Sequence, residues 1–230
     1  MCGIIGITCE DGELTAILME EFLIQSQIRG KHATGIAYIE DGDIIKMIQP
    51  VPAKEFVKNH EMSHSTMMLG HTRYSTSDIK YNQPIGNNDL AIVHNGVITQ
   101  EAFPDWEKHF KYNDFKTRND TELLLKCIDN EENPFFKFIN ASIACGLLYK
   151  DMMCCMRNNT RPLYLFKSDH FSGFASTEDI IKRTSKNLGI DMEIEKTQPF
   201  RQYCFSDKNE NMVSFEVEHN KTMLFAKDQQ

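Results

Sequence analysis

The sequence predicts an α+β fold with two sheets. Three observations lead there. Strand-like runs follow one another along most of the 230 residues, with helices inserted between them. The dipeptide Asp41-Gly42 between two apolar runs is a two-residue hairpin signal. No repeat, low-complexity stretch or Pro/Gly/Ser-rich linker divides the chain, so residues 1–230 are expected to form one domain.

In order along the chain, residues 1–8 form an apolar run with two glycines, predicted as a buried strand. Residues 13–29 carry Leu14, Ile17, Leu18 and Phe22 at helical spacing, with Gly30 as the expected stop. Strands at 34–40 and 43–49 flank the hairpin turn. Further strands are predicted at 66–73, 89–94, 142–149, 162–167, 171–176, 202–206, 212–218 and 222–226. Helices are predicted at 120–129 and 177–186, each opened by an N-cap residue type, Asp120 and Thr177.

Composition excludes several classes. Apolar residues make up 41% and charged residues 25%, which is ordinary for a globular chain. No apolar run has the roughly 20 residues a membrane span needs, and residues 1–10 lack the basic start of a signal peptide. The 33 acidic residues against 25 basic ones give −8, which argues against direct nucleic-acid binding. Seven cysteines, an odd number without a CxxC pair, point to a reducing cytoplasm rather than a disulfide framework.

Cys2 carries most of the chemistry. Removal of Met1 would give one residue a thiol and a free α-amine that titrates near 8, able to act as a general base for the thiol. The plainer reading is a small buried residue in the first strand. Gly3 and Gly6 leave room for a backbone or ligand to approach. Cys9, Cys127, Cys145 and Cys204 sit in apolar contexts and are read as core, and Cys154-Cys155 as structural residues on opposite faces of a strand.

Outward from Cys2 the motifs fall in a familiar order: Met1-Cys2-Gly3-Ile4-Ile5-Gly6, Arg29-Gly30 with Thr34-Gly35-Ile36, Gly70-His71-Thr72-Arg73-Tyr74-Ser75-Thr76, and Asn82-Gln83-Pro84. His94-Asn95-Gly96, Asn119-Asp120-Thr121-Glu122, Arg161-Pro162-Leu163-Tyr164 and Ser176-Thr177-Glu178-Asp179 follow. This series, over about residues 1–180, resembles the class II glutamine amidotransferase domain, an N-terminal-nucleophile hydrolase. It is closest to the glutaminase domains of phosphoribosylpyrophosphate amidotransferase and glucosamine-6-phosphate synthase. Tyr74-Ser75-Thr76 looks more like the former, and Ser77-Asp78 departs from both.

The resemblance implies a four-layer αββα sandwich that hydrolyses L-glutamine to glutamate and ammonia through a thioester on Cys2, with no metal or organic cofactor. It assigns Asn95 and Gly96 to an oxyanion hole, Arg73 and Thr76 to the substrate carboxylate, Asp120 to its ammonium, and Arg29 to the neighbourhood of the nucleophile. The residue types suit those tasks. An oxyanion needs fixed donors, a guanidinium clamps a carboxylate, and a carboxylate accepts from an ammonium. Each also has an ordinary alternative: a hairpin turn for Asn95-Gly96, a salt bridge for Arg73, a helix cap for Asp120 and a helix-end charge for Arg29. No ammonia-consuming motif is found, so a separate synthase is the expected partner, with loops at 75–81 and 96–101 closing over glutamine.

Three rivals stand beside this. One is a plain amidase of the same superfamily acting on another amide, against which Arg73 and Asp120 together favour a free α-amino acid. Another is a scaffold subunit of the same fold with weak or no activity. The third is a zinc peptidase using His60, Glu61 and His64, which spell H-E-x-x-H.

Overall fold

The computed structural model describes residues 1–75, 80–206 and 209–216. Thr76 and the predicted strand at 222–226 lie outside the described residues. The chain opens with β1 (Gly3–Cys9), α1 (Gly12–Ser26), the β2–β3 hairpin (Ala33–Glu40 and Asp43–Gln49), α2 (Ala53–Asn59) and β4 (Met67–Arg73). Next come β5 (Ile85–Gly86), β6 (Leu90–His94), α3 (Trp106–Phe110), α4 (Thr121–Asp129) and α5 (Pro134–Lys137). The rest is β7 (Ala144–Tyr149), β8 (Met153–Arg157), β9 (Tyr164–Lys167), β10 (Phe171–Ala175), α6 (Glu178–Leu188), β11 (Glu193–Lys196), β12 (Arg201–Ser206) and β13 (Asn209–Glu216).

Among the described residues the strands form two antiparallel sheets, ordered β11-β9-β10-β1-β4-β2-β3 and β13-β12-β8-β7-β6-β5. Alternation along each strand sorts side chains between two faces. Ile5 and Ile7 of β1 meet Leu18 and Phe22 of α1, Phe56 of α2 and Ile180 of α6. Ile4 of the same strand faces the other way, to Leu69, Val93, Leu148 and Phe174 between the sheets. On the far side, Ile92 and Leu147 pack with Leu124, Trp106 and Phe135 of the helical layer. The four-layer αββα order follows. Cys154 joins the helix-facing cluster and Cys155 the inter-sheet one, and both are fully buried. No described helix is long and apolar enough to cross a membrane.

Local signals held where local chemistry decides. Asp41 and Gly42 both take positive φ, 51° and 81°, as the predicted hairpin requires. Asp11 caps α1, its Oδ1 accepting from Glu13 N at 2.9 Å and Leu14 N at 3.3 Å. Other expectations need correcting. Helix α1 ends at Ser26, and Gly30 is no left-handed stop; a Cβ there would collide with the Arg73–Tyr74 backbone. Neither Asp120 nor Thr177 caps its helix through the side chain. The short helices α2, α3 and α5 and the strands β5 and β11 carried too little periodicity to be predicted.

Phe174, the cross-strand partner of Gly6 in the same sheet, lays its ring over that glycine, and a Cβ on Gly6 would collide with the ring. Gly6→Ala is therefore expected to destabilise the fold by about 1–3 kcal/mol, read as a lower urea midpoint. An unchanged midpoint would mean that the contact yields freely.

Candidate active site

Cys2 immediately precedes β1 and is partly exposed, with Sγ 3.9 Å from the Tyr74 carbonyl oxygen. Arg29, just beyond α1, donates from Nε to the Cys2 carbonyl at 2.8 Å. Its Nη2 lies 3.8 Å from the Met1 sulfur, and Arg161 Nη1 reaches the same sulfur at 3.6 Å. Two guanidinium groups thus converge on the chain terminus. Burial, followed by the Arg29 and Arg161 charges, lowers the α-amine from its ordinary 8.0, against an opposing pull from Cys2. Arg161 belongs to a motif block in the sequence, but its spacing gave no hint that it meets the terminus. Its Nε is buried without a hydrogen-bond partner among the described residues.

Asn95 and Gly96 follow β6. They do not make a hairpin turn: neither has positive φ. Asn95 N donates to Ala144 O at 2.8 Å and Val97 N to Ser142 O at 3.1 Å, so the backbone stays extended along β7 and beyond. A Cβ on Gly96 would collide with the Ser142 carbonyl. The Asn95 side chain is buried, and its Nδ2 has no hydrogen-bond partner among the described residues. A buried amide donor left unpaired costs about 1–3 kcal/mol, and such exceptions gather where a ligand is to be met.

Arg73 ends β4 and is buried, with Nη1 donating to Tyr81 O at 2.7 Å and to Asn82 Oδ1 at 2.5 Å. Asn119 Nδ2 holds the same Tyr81 carbonyl at 3.0 Å. Asp120 turns away from its helix, and its Oδ2 accepts from Ile98 N at 2.6 Å.

A buried hydrogen-bond circuit connects these segments. Gln83 Nε2 donates to Thr121 Oγ1 at 2.9 Å, and Gln83 Oε1 accepts from His94 N at 2.6 Å. Thr121 Oγ1 lies 3.3 Å from His94 Nδ1, and His94 Nε2 lies 3.0 Å from Ser142 O. A carbonyl only accepts, so His94 carries its proton on Nε2, Nδ1 accepts, and the Thr121 hydroxyl points to it. Burial lowers the His94 imidazole despite the nearby Asp120 carboxylate. Sequence reasoning gave no role to Gln83, His94 or Thr121, although all three lie in motif blocks.

His60, Glu61 and His64 do not make the helical pair that zinc binding would need. His60 ends α2 in extended conformation, and His64 follows on non-helical chain. His60 is occupied by Phe56 O at 2.9 Å and Gln49 Nε2 at 2.8 Å. No metal-holding group of His, Cys, Asp and Glu exists among the described residues.

The fold has known counterparts. The family model described as a glutamine amidotransferase domain matches residues 40–219. The chain belongs to that family. The match begins at the end of β2, so Cys2 and Arg29 precede it. This amidotransferase domain is 31% identical over 137 residues to glutamine–fructose-6-phosphate aminotransferase (isomerizing) of Clostridium perfringens, covering 56% of this chain and 22% of that protein. The same enzyme of Wigglesworthia glossinidia brevipalpis is 29% identical over 146 residues, covering 58% and 23%. The chain therefore spans less than a quarter of these relatives. Among solved structures, the glutamine phosphoribosylpyrophosphate amidotransferase of B. subtilis superposes with TM-score 0.72 at 19% identity, over 95% of this chain and 50% of that one. A glutamine aminotransferase class-II domain protein of Silicibacter pomeroyi gives 0.60 at 11%, over 94% and 100%. These likenesses show that the fold is shared with those chains.

His71, fully buried on β4 with both ring nitrogens unpartnered among the described residues, is pushed down to about 3 by burial and by the Arg73 charge. An unfolded imidazole titrates near 6.5, so below that pH the unfolded chain takes up a proton that the fold refuses. Stability then falls with falling pH by about 1.4 kcal/mol per unit from this site, and is unaffected by it above about pH 7. Nitrogen-15 NMR should find His71 neutral at pH 5. An imidazolium signal there would contradict the burial argument.

Proposed function

We propose that this amidotransferase domain hydrolyses L-glutamine to glutamate and ammonia, with Cys2 as nucleophile once Met1 has been removed. The carrying observation is the buried Nδ2 of Asn95, a fixed donor without a hydrogen-bond partner among the described residues. In this scheme the Cys2 α-amine takes the thiol proton and Sγ attacks the glutamine side-chain carbonyl carbon. The carbonyl electron pair moves to oxygen, where Asn95 Nδ2 and the Gly96 N–H donate to it. The α-ammonium returns the proton to the amide nitrogen, the C–N bond breaks and ammonia leaves. Water, deprotonated by the same amine, then cleaves the γ-glutamyl thioester.

An α-amine titrates near 8 in its ordinary state, close enough to neutral pH to serve as that base. Arg29 orients Cys2 through its carbonyl, Arg73 with Thr76 takes the substrate carboxylate, and Asp120 takes its ammonium. Ammonia passes to a synthase unit outside these 230 residues, and full closure over glutamine awaits that partner. The scheme uses neither metal nor organic cofactor.

Intact mass of active protein should correspond to a chain starting at Cys2, and 6-diazo-5-oxo-norleucine should label that residue once. Retained Met1 in active protein, or labelling at another cysteine, would overturn the nucleophile. Asn95→Ala should lower kcat by about two to three orders of magnitude, whereas Arg73→Lys should chiefly raise KM. If both variants changed KM alone, the oxyanion role would fail. Ammonia release from the isolated chain should be slow and rise with the synthase; a high rate indifferent to any companion would contradict partner dependence.

A further inference from the structure

A second cleft, of about 800 Å³, opens where the two sheets end side by side, between β3, β5 and α4. Ile48, Pro84, Ile85 and Leu125 give it an apolar floor. Lys46, Lys80, Lys116 and Lys126 line it as well, on a chain whose net charge is −8. Two carboxylates share the lining, Glu122 and Asp129. Glu122 is already committed: Oε1 accepts from Lys116 N at 2.8 Å, and Oε2 from Thr117 N at 2.6 Å and Thr117 Oγ1 at 2.8 Å. Asp129 Oδ2 accepts from Asn87 Nδ2 at 3.0 Å.

Lys46, Lys116 and Lys126 form no ion pair among the described residues. Burial and the Lys116 charge lower the Lys46 ammonium. Such a group of cations is relieved by a ligand bringing more than one negative charge, as a phosphate does.

We propose that this cleft binds a small phosphorylated molecule, with the phosphate among Lys46, Lys116 and Lys126 and an apolar body on the Ile48–Pro84–Leu125 floor. The volume lies within the roughly 300–1,000 Å³ of small-molecule sites. An extended acidic peptide fits less well. Strand β5 offers only Ile85 and Gly86 as an edge, and the Gly86 carbonyl is already taken by Lys46 Nζ at 2.6 Å. Tyr81 and Asn82, which hold Arg73, also line the cleft, so the ligand would sit next to the proposed glutamine site. The binding itself does not depend on that reading.

The test is isothermal titration calorimetry of the whole chain with adenosine 5′-monophosphate and inorganic pyrophosphate, against adenosine and hexaglutamate. Saturable one-to-one binding is expected for at least one phosphate probe and for neither comparison compound. Lys116→Glu, at an exposed side chain, should weaken it by about tenfold or more, Lys116→Arg should retain it, and Lys58→Glu on α2 should leave it unchanged. Unchanged melting of the variants would exclude misfolding as the cause. Binding of neither phosphate probe, hexaglutamate binding in their place, or indifference to Lys116→Glu would overturn the proposal.

Discussion

The candidate site depends on one buried circuit, Gln83 to Thr121 to His94, closed by Gln83 accepting from the His94 backbone. Each member adjoins a residue that faces the site: Gln83 follows Asn82, Thr121 follows Asp120, and His94 precedes Asn95. All three circuit members are buried, where a lost partner costs about 1–3 kcal/mol and a satisfied bond contributes about 1. The penalty for opening the circuit therefore exceeds the gain from any single bond in it. Three chain segments are held in one register by that asymmetry, and the neutral Nε2–H form of His94 extends the hold to β7 through Ser142.

Electrostatics at the terminus works in the same direction. Arg29 and Arg161 are far apart in the sequence and meet at Met1, in a chain that is acidic as a whole. Their charges act on the amine, and Arg161 also acts on His94. Neither guanidinium forms an ion pair among the described residues, which is unfavourable for folding alone and fits a place where anionic or polar intermediates form.

What was legible in the sequence follows the range of the interactions. The Asp41-Gly42 hairpin is set by neighbours within a few residues and was read correctly. The Cys154-Cys155 pair splits between two cores because strand alternation is local too. Local rules misled at Asn95-Gly96, where pairing with β7 and the residues before it keeps the backbone extended, and at Asp120, whose carboxylate answers Ile98 rather than its own helix. Gly30 looked like a helix stop, whereas its missing side chain makes room for the strand end at Arg73. Gln83, Thr121 and Arg161 were invisible as partners, because their contacts span 11 to 160 residues and no periodicity encodes them. Motif order supplied the family and the candidate residues; only the fold supplied the circuit that aligns them.

The central claim is that Asn95 Nδ2 waits for an oxyanion formed on Cys2. A crystal structure of the mature chain treated with the γ-semialdehyde of glutamate tests it most directly, because that aldehyde forms a tetrahedral thiol adduct. The account predicts an adduct on Cys2 whose oxygen lies about 2.7–3.1 Å from Asn95 Nδ2 and from the Gly96 nitrogen. An adduct oxygen turned to solvent, with Nδ2 still unpartnered, would contradict it.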